Sequence, residues 1–342
     1  MTKDAEHDGV PADGGTRGAV VVALAANLVI ALAKVAGGLV AASPALLAEA
    51  AHSVADSLNE VFLLASLRRS RRRPDARHPF GYGKERFFWS MLAAVGIFVT
   101  GGCFSFYQGL HTLLHPEGEE TGGYLVVYLV LLVSLLAEGG SLLKATLEIR
   151  GQARRAGRGL AAQLRHGSDP TVRTVFAEDA AAVLGVLLAL AGAGLHQLTG
   201  RPVWEAAAAL AIGVLLMYVA HRLGRDAKDR LIGEAVDPAA QQRALDLLAA
   251  QPGIDTVTRL LTMQLGPDSA LLAARVDLVD GLDSAGVEEL CVAAKQRLRT
   301  ELPEFDQVFL DITAADAQER HRAAARRRHL REAVDRQRAA GA

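Results

Sequence analysis

The chain has 342 residues, 51% of them hydrophobic, and a formal net charge of −1, so no basic excess points to a nucleic-acid partner. Its two cysteines, Cys103 and Cys291, lie far apart, which argues against a disulfide framework and against a cysteine-built zinc site. Composition is uneven along the chain: residues 18–222 are dominated by apolar runs, and the last third has the charge content of an ordinary globular domain.

Residues 1–17 form a polar tail without the basic start and cleavable apolar core of a signal peptide, so the first apolar run is expected to remain as a membrane span. A helix needs about 20 apolar residues to cross a bilayer. Six stretches qualify: Ala19–Ala42, Ala45–Leu67, Phe87–Leu114, Tyr124–Leu147, Val172–Leu195 and Val203–Tyr218. The second and fifth carry acidic residues, which lowers both on a purely hydropathic scan. Basic loops follow the second, fourth and sixth spans: Arg68 to Arg73, then Arg150, Arg154, Arg155, Arg158 and Arg165, then Arg222, Arg225, Lys228 and Arg230. The loop after span three is acidic and the one after span five is short. The excess of Lys and Arg on one side places both termini in the cytoplasm of a multi-pass cell-membrane protein.

Residues 223–236 read as a linker. Beyond it, Pro238–Ala250 has helical spacing, Thr256–Leu265 and Leu271–Val279 read as strands around the turn GPDS, Ser284–Leu302 reads as a helix, and Gln307–Thr313 as a last strand. That order suits a small open α/β sandwich over residues 237–315. The Arg- and Ala-rich stretch 316–342 reads as a solvated helix or a disordered arm.

The chemistry concentrates in two spans. Span two holds His52 and Asp56 four residues apart, hence on one helix face, within a thicker stripe of Glu49, Ser53, Asn59 and Glu60. Ionisable groups at membrane depth are costly and face a pathway or a partner. An imidazole and a carboxylate one turn apart suit a divalent metal ion. Span five places Glu178 and Asp179 side by side, pointing about 100° apart, so only one of them faces the same site as His52 and Asp56. Asp179 is the favoured ligand, with Glu178 bonding across helices or supporting the ligand. The loop around Asp75 and His78 reads as a turn that Pro79, Gly81 and Gly83 shape for docking; Lys84 and Arg86 read as interface anchors. His111 with His115, and His166 with Asp169, are weaker exit-side and entry-side candidates. Asp277, Asp280, Asp283 and Asp311 read as solvated surface.

Taken together, LLAEAAHSVADSLNE, HPFGYGKERFFW, EDAAAVLG and LIGEAVDP resemble the cation diffusion facilitator family over residues 20–315. The resemblance implies six transmembrane helices followed by a cytoplasmic ferredoxin-like, metallochaperone-like domain that dimerises, and a transporter of divalent metals, mostly zinc, rather than an enzyme. It puts His52 and Asp56 in metal positions, and it makes Asp75 and His78 a second candidate metal site, with Tyr82 in the third position where some relatives have histidine. Span five departs from the family pattern: Asp179 and Gly185 keep their spacing, but Val175 stands where the family has histidine. Three protein ligands then remain unless Glu178, Glu49 or water completes the shell, a set that zinc tolerates; manganese, iron, cobalt or cadmium are the other metals. The implied mechanism is proton antiport. A histidine titrates near pH 6.5, and metal binding needs its ligands deprotonated, so metal and protons compete for one site. No Gly-Lys-Ser/Thr nucleotide loop points to an ATP-driven pump. Two other classes are weighed: an intramembrane metalloenzyme, which lacks its His-Glu-x-x-His spacing, and a sensor or scaffold that binds metal without moving it, to which Val175 lends support.

Overall fold

The structure, a computed structural model, describes residues 13–115, 123–155 and 170–339. The helices in chain order are α1 (Asp13–Ala41), α2 (Pro44–Ser70), α3 (Glu85–Gly96), a π-helical stretch Ile97–Cys103, α4 (Phe104–Leu114), α5 (Tyr124–Arg155), α6 (Pro170–Thr199) and α7 (Val203–Leu231). A smaller domain follows: α8 (Pro238–Ala249), β1 (Ile254–Gly266), β2 (Ser269–Leu278), α9 (Ser284–Glu301), β3 (Gln307–Ile312) and α10 (Ala317–Ala339). The chain divides into two compact units, one within Met1–Arg68, Trp89–Leu143 and Ala177–Gly224, the other within Arg69–Phe88, Lys144–Phe176 and Arg225–Ala342.

The first unit is helical and built for lipid. Among the described residues, four rods are long and apolar enough to cross a membrane: Glu85–Leu114, Tyr124–Gly151, Phe176–Thr199 and Val203–Leu231, with Asn27–Ala41 a shorter apolar stretch. The rod Phe176–Thr199 qualifies despite its two adjacent acids, contrary to the expectation from hydropathy. The helix α2 does not qualify, because its stripe of acid, amide and imidazole groups occupies the middle of the apolar run.

The core of this unit is mostly alanine, including Ala41, Ala45, Ala48, Ala55, Ala189, Ala193, Ala208, Ala209 and Ala220. Large apolar side chains such as Leu125, Leu136, Val133 and Tyr218 face outward. Small residues between helices let backbones approach where lipid supplies no hydrophobic drive for association. A Cβ at Gly213 of α7 would lie 2.7 Å from the Phe106 nitrogen, and one at Gly109 of α4 would lie 2.8 Å from the Ala206 carbonyl oxygen. The chain reverses between α1 and α2 at Ala42, whose φ of 49° is left-handed. Ser43 then starts α2, its Oγ accepting from the Leu46 amide at 3.3 Å.

The second unit carries a three-stranded sheet in the order β1-β2-β3. The strands β1 and β2 are antiparallel, joined by a tight turn, and β2 and β3 are parallel, as the α9 crossover between them requires. Asp237 caps α8, its side chain accepting from the Ala239 amide at 3.0 Å, and Asp283 caps α9 by accepting from Gly286 at 2.8 Å. One sheet face, including Leu272, Ala274 and Val276, packs with Leu245 and Leu248 of α8 and Leu290, Ala294 and Leu298 of α9. The opposite face leaves Leu261 and Phe309 exposed beside the Arg275–Asp311 pair.

The Arg- and Ala-rich run forms α10, which docks through the buried Ala323 and Val334. Its Arg326 donates to the Thr258 carbonyl of β1 at 2.9 Å, and its Arg320 pairs with Asp255 and, at 2.6 Å, with Asp277. Asp277 is therefore buried and paired, not solvated surface as its sequence context suggests. Asp280, Asp283 and Asp311 are exposed.

The packing at Gly213 is directly testable. Gly213→Ala is expected to lower the melting temperature of the detergent-solubilised protein, by about 1–3 kcal/mol of stability, the usual cost of overpacking. Gly139→Ala, where a Cβ meets nothing within 4 Å, is expected to leave it unchanged or raise it.

Candidate metal centre

The polar stripe of α2 is the foundation of the site. His52 is 4% exposed, and its Nδ1 lies 3.6 Å from Asp56 Oδ2, as the four-residue spacing predicts. Neither ring nitrogen of His52 has a hydrogen-bond partner among the described residues. A buried polar group left without a partner costs on the order of 1–3 kcal/mol, so an unoccupied imidazole of this kind is unusual outside functional sites.

Neighbouring helices answer the rest of the stripe. Glu49 is fully buried and accepts from Lys34 of α1 at 3.0 Å, and the same ammonium donates to Ser53 Oγ at 2.7 Å. Glu60 accepts from Asn27 of α1 at 2.7 Å. Glu178 of α6 accepts from Asn59 of α2 at 3.4 Å. Asp179 turns the other way and accepts from Ser141 of α5 at 2.7 Å. The two adjacent acids thus diverge as helix geometry demands, and both are near enough for Asp56 to act on them electrostatically. Among the described residues no three His, Cys, Asp or Glu side chains converge on one point; the four predicted ligands stand as the pair His52–Asp56 on α2 and the pair Glu178–Asp179 on α6.

Gly185 has a physical reason that spacing alone conceals. A Cβ there would sit 2.2 Å from Glu49 Oε1, so the missing side chain on α6 is what makes room for the buried carboxylate. Sequence reading also passed over Lys34, Asn27 and Glu138, the partners that α1 and α5 bring to the stripe. Their signal was present, since Asn27 and Lys34 interrupt the first long apolar run and Glu138 interrupts the fourth.

The second candidate pair behaves differently. Asp75 Oδ1 accepts from the amides of Arg77 at 3.0 Å and His78 at 2.7 Å, and Oδ2 accepts from Tyr82 Oη at 2.7 Å. The His78 ring lies 4.3 Å from the Tyr82 ring, between centroids. Asp75 therefore staples its own loop with both oxygens. Gly81, with φ 81°, completes the turn, and Gly83 packs on the β1–β2 hairpin so closely that a Cβ would meet the Leu265 oxygen at 2.5 Å. Lys84 reaches the Leu231 carbonyl, 3.5 Å away at the end of α7. His111 and His115 stack on each other, ring centroids 4.7 Å apart and both exposed, while His166 and Asp169 lie outside the described residues.

A helical bundle with an acid- and histidine-bearing interior, joined to a small α/β domain, defines a membrane protein of the cation-transporting kind. The Cation efflux transmembrane domain family matches residues 20–232, and the chain belongs to the cation diffusion facilitator family. It is 34% identical over 258 residues, 75% of this chain and 46% of the relative, to the Proton-coupled zinc antiporter SLC30A9, mitochondrial, of Xenopus laevis. It is 34% identical over 265 residues to Metal tolerance protein C4 of Arabidopsis thaliana, covering 78% of this chain and 58% of that one. To the Cation-efflux pump FieF of Klebsiella pneumoniae it is 27% identical over 293 residues, 85% of this chain and 90% of that one. The chain spans about half the length of the mitochondrial antiporters it matches.

The loop staple has a pH signature. The Tyr82 hydroxyl first, then the His78 amide, hold the Asp75 carboxyl below the usual carboxylate range. A depressed value means the staple is fully present above the ordinary aspartate pKa of about 4 and is lost only as pH falls through the lower folded value. Hydrogen–deuterium exchange of the segment 74–82 is expected to show protection persisting through that ordinary range in the wild type. In Tyr82→Phe the protection is expected to disappear at a higher pH.

Proposed function

We propose that this chain exports a divalent metal, zinc first, from the cytoplasm in exchange for protons by alternating access. The observation that carries the reading is His52: a buried imidazole beside Asp56, neither ring nitrogen of which has a hydrogen-bond partner among the described residues. A metal ion and a proton compete for the same ring-nitrogen lone pair, so the two exclude each other, which is the chemical requirement of antiport. His52 and Asp56 supply one side of the site. Asp179 or Glu178 completes it once α5 or α2 releases the acid it now holds, with water as a further ligand. The mitochondrial relative, a proton-coupled zinc antiporter, and the cation-efflux pump support a proton-coupled cation export reading.

In this reading α1 and α2 complete a six-span bundle, α2 crossing despite its stripe because its neighbours satisfy it. The basic loops place both termini in the cytoplasm. The exposed Leu261 and Phe309 give the small domain an apolar patch for a homodimer. Asp75, with both oxygens engaged, acts as a loop staple rather than as a metal ligand. The separation of the acid pair from His52 and the valine at position 175 favour one second reading, a sensor that binds metal without transporting it.

The test is metal uptake into proteoliposomes under an imposed pH gradient, with zinc, manganese, iron, cobalt and cadmium in parallel. Zinc flux is expected to collapse with the gradient, and to fall to background in His52→Ala, Asp56→Ala and Asp179→Ala while the folded protein persists. Comparing Glu178→Gln with Asp179→Asn decides which acid serves the ion. Normal flux in both Asp56→Ala and Asp179→Ala would exclude this site. Binding of a metal with flux of none would establish the sensor.

A further inference from the structure

Lys34 lies inside the helical unit with no exposed side-chain surface. Its ammonium is ringed by oxygen: Glu49 Oε2 at 3.0 Å, Ser53 Oγ at 2.7 Å and Glu138 Oε1 at 3.7 Å. Two carboxylates and a hydroxyl, drawn from α2 and α5, are the ligand chemistry of a hard cation. The other Glu49 oxygen, Oε1, is buried and has no hydrogen-bond partner among the described residues, so half of this carboxylate is still available. Gly185 supplies the space in which that oxygen turns.

The charges lead to the same conclusion. Two carboxylates against one ammonium leave the cage with a surplus negative charge, whereas a divalent ion would balance it. Without any cation the two carboxylates would face a shared space as like charges, a costly arrangement away from water. The lysine side chain is anchored on α1, a different helix from either acid, so it occupies the position of an ion without being able to leave as one.

We propose that Glu49, Ser53 and Glu138 form a second hard-cation cage, which Lys34 fills as a tethered ammonium and thereby closes to divalent ions. The cage is distinct from the His52–Asp56 pair, and it makes Lys34 the residue that limits how many divalent ions the helical unit holds. A bare ion would draw the oxygens in to about 2.0–2.6 Å, a contraction available once the lysine is gone.

The experiment counts bound Mn2+ on the full-length protein in lipid nanodiscs, from the electron paramagnetic resonance signal of the free ion. Lys34→Met is expected to bind one more Mn2+ per protomer than the wild type. That additional ion is expected to vanish in Lys34→Met/Glu138→Gln and to persist in Lys34→Met/Asp56→Ala. Because a difference between variants is read, the result stands whether or not the His52–Asp56 pair holds an ion. Equal stoichiometry in the wild type and Lys34→Met overturns the proposal. Should Lys34→Met fail to fold, rescue of its size-exclusion profile by added Mn2+ supports the cage. Failure of Mn2+ to rescue it, with Lys34→Met/Glu49→Gln folded, overturns the cage and leaves Lys34 as a structural counter-ion.

Discussion

A polar stripe on a helix in hydrocarbon has to be answered by its neighbours, and α2 imposes that demand on the whole helical unit. Water does not reach the middle of a bilayer, so each acid, amide and imidazole there needs a protein partner or a ligand. Lys34 and Asn27 of α1 answer Glu49 and Glu60, and Asn59 of α2 itself engages Glu178 of α6. These are short bonds between side chains of modest length, so the helices must come close. The alanine-dominated core and the bare backbone at Gly185 follow from that requirement as much as from packing. His52 and Asp56 are the members of the stripe that make no hydrogen bond among the described residues, and the functional reading grows from that pair.

Much of this arrangement was legible in the chain, for identifiable reasons. Ionisable residues are so disfavoured in apolar runs that His52, Asp56, Glu178 and Asp179 stand out, and the helical period alone puts the first two on one face. The strands β1, β2 and β3 were readable from runs of Val, Leu and Thr ended by turn residues, and their observed limits lie within a few residues of the expected ones. What sequence could not supply was partnership between distant elements. The 100° divergence of Glu178 and Asp179 follows from helix geometry, but which of them turns toward α2 depends on how α6 is rotated. Lys34 appears as a blemish in an apolar stretch until Glu49 and Glu138 are placed around it. Asp277 looked like surface because its partner, Arg320, belongs to a helix beyond the expected limit of the domain.

The helix α10 shows how an unpromising composition can serve a sheet. Its arginines are too many for a core and too regular for a simple linker. A strand at a sheet edge exposes unpaired carbonyls and amides that invite pairing with another chain. In this domain Arg326 takes the Thr258 carbonyl, and Arg320 neutralises Asp255 and Asp277 nearby. Charge and length together let the helix run along β1 and occupy bonding positions that a neighbouring strand would otherwise use.

One further contact bears on how the helical unit moves. Ser43, at the start of α2, donates to Glu205 near the start of α7, and Glu205 also takes His196 near the end of α6 at 2.8 Å. All three are buried, so water does not compete for these bonds. They fasten three helix ends at the side of the bundle where α1 turns into α2 and α6 turns into α7. A motion that parted α2 from α7 here would break the buried Ser43–Glu205 bond and leave Glu205 with His196, whereas a motion at the other end of the helices would leave the clasp untouched. The helix ends are therefore fastened unequally: a buried carboxylate ties α2, α6 and α7 together at one end of the bundle, so any separation of α2 from α7 costs a buried hydrogen bond there.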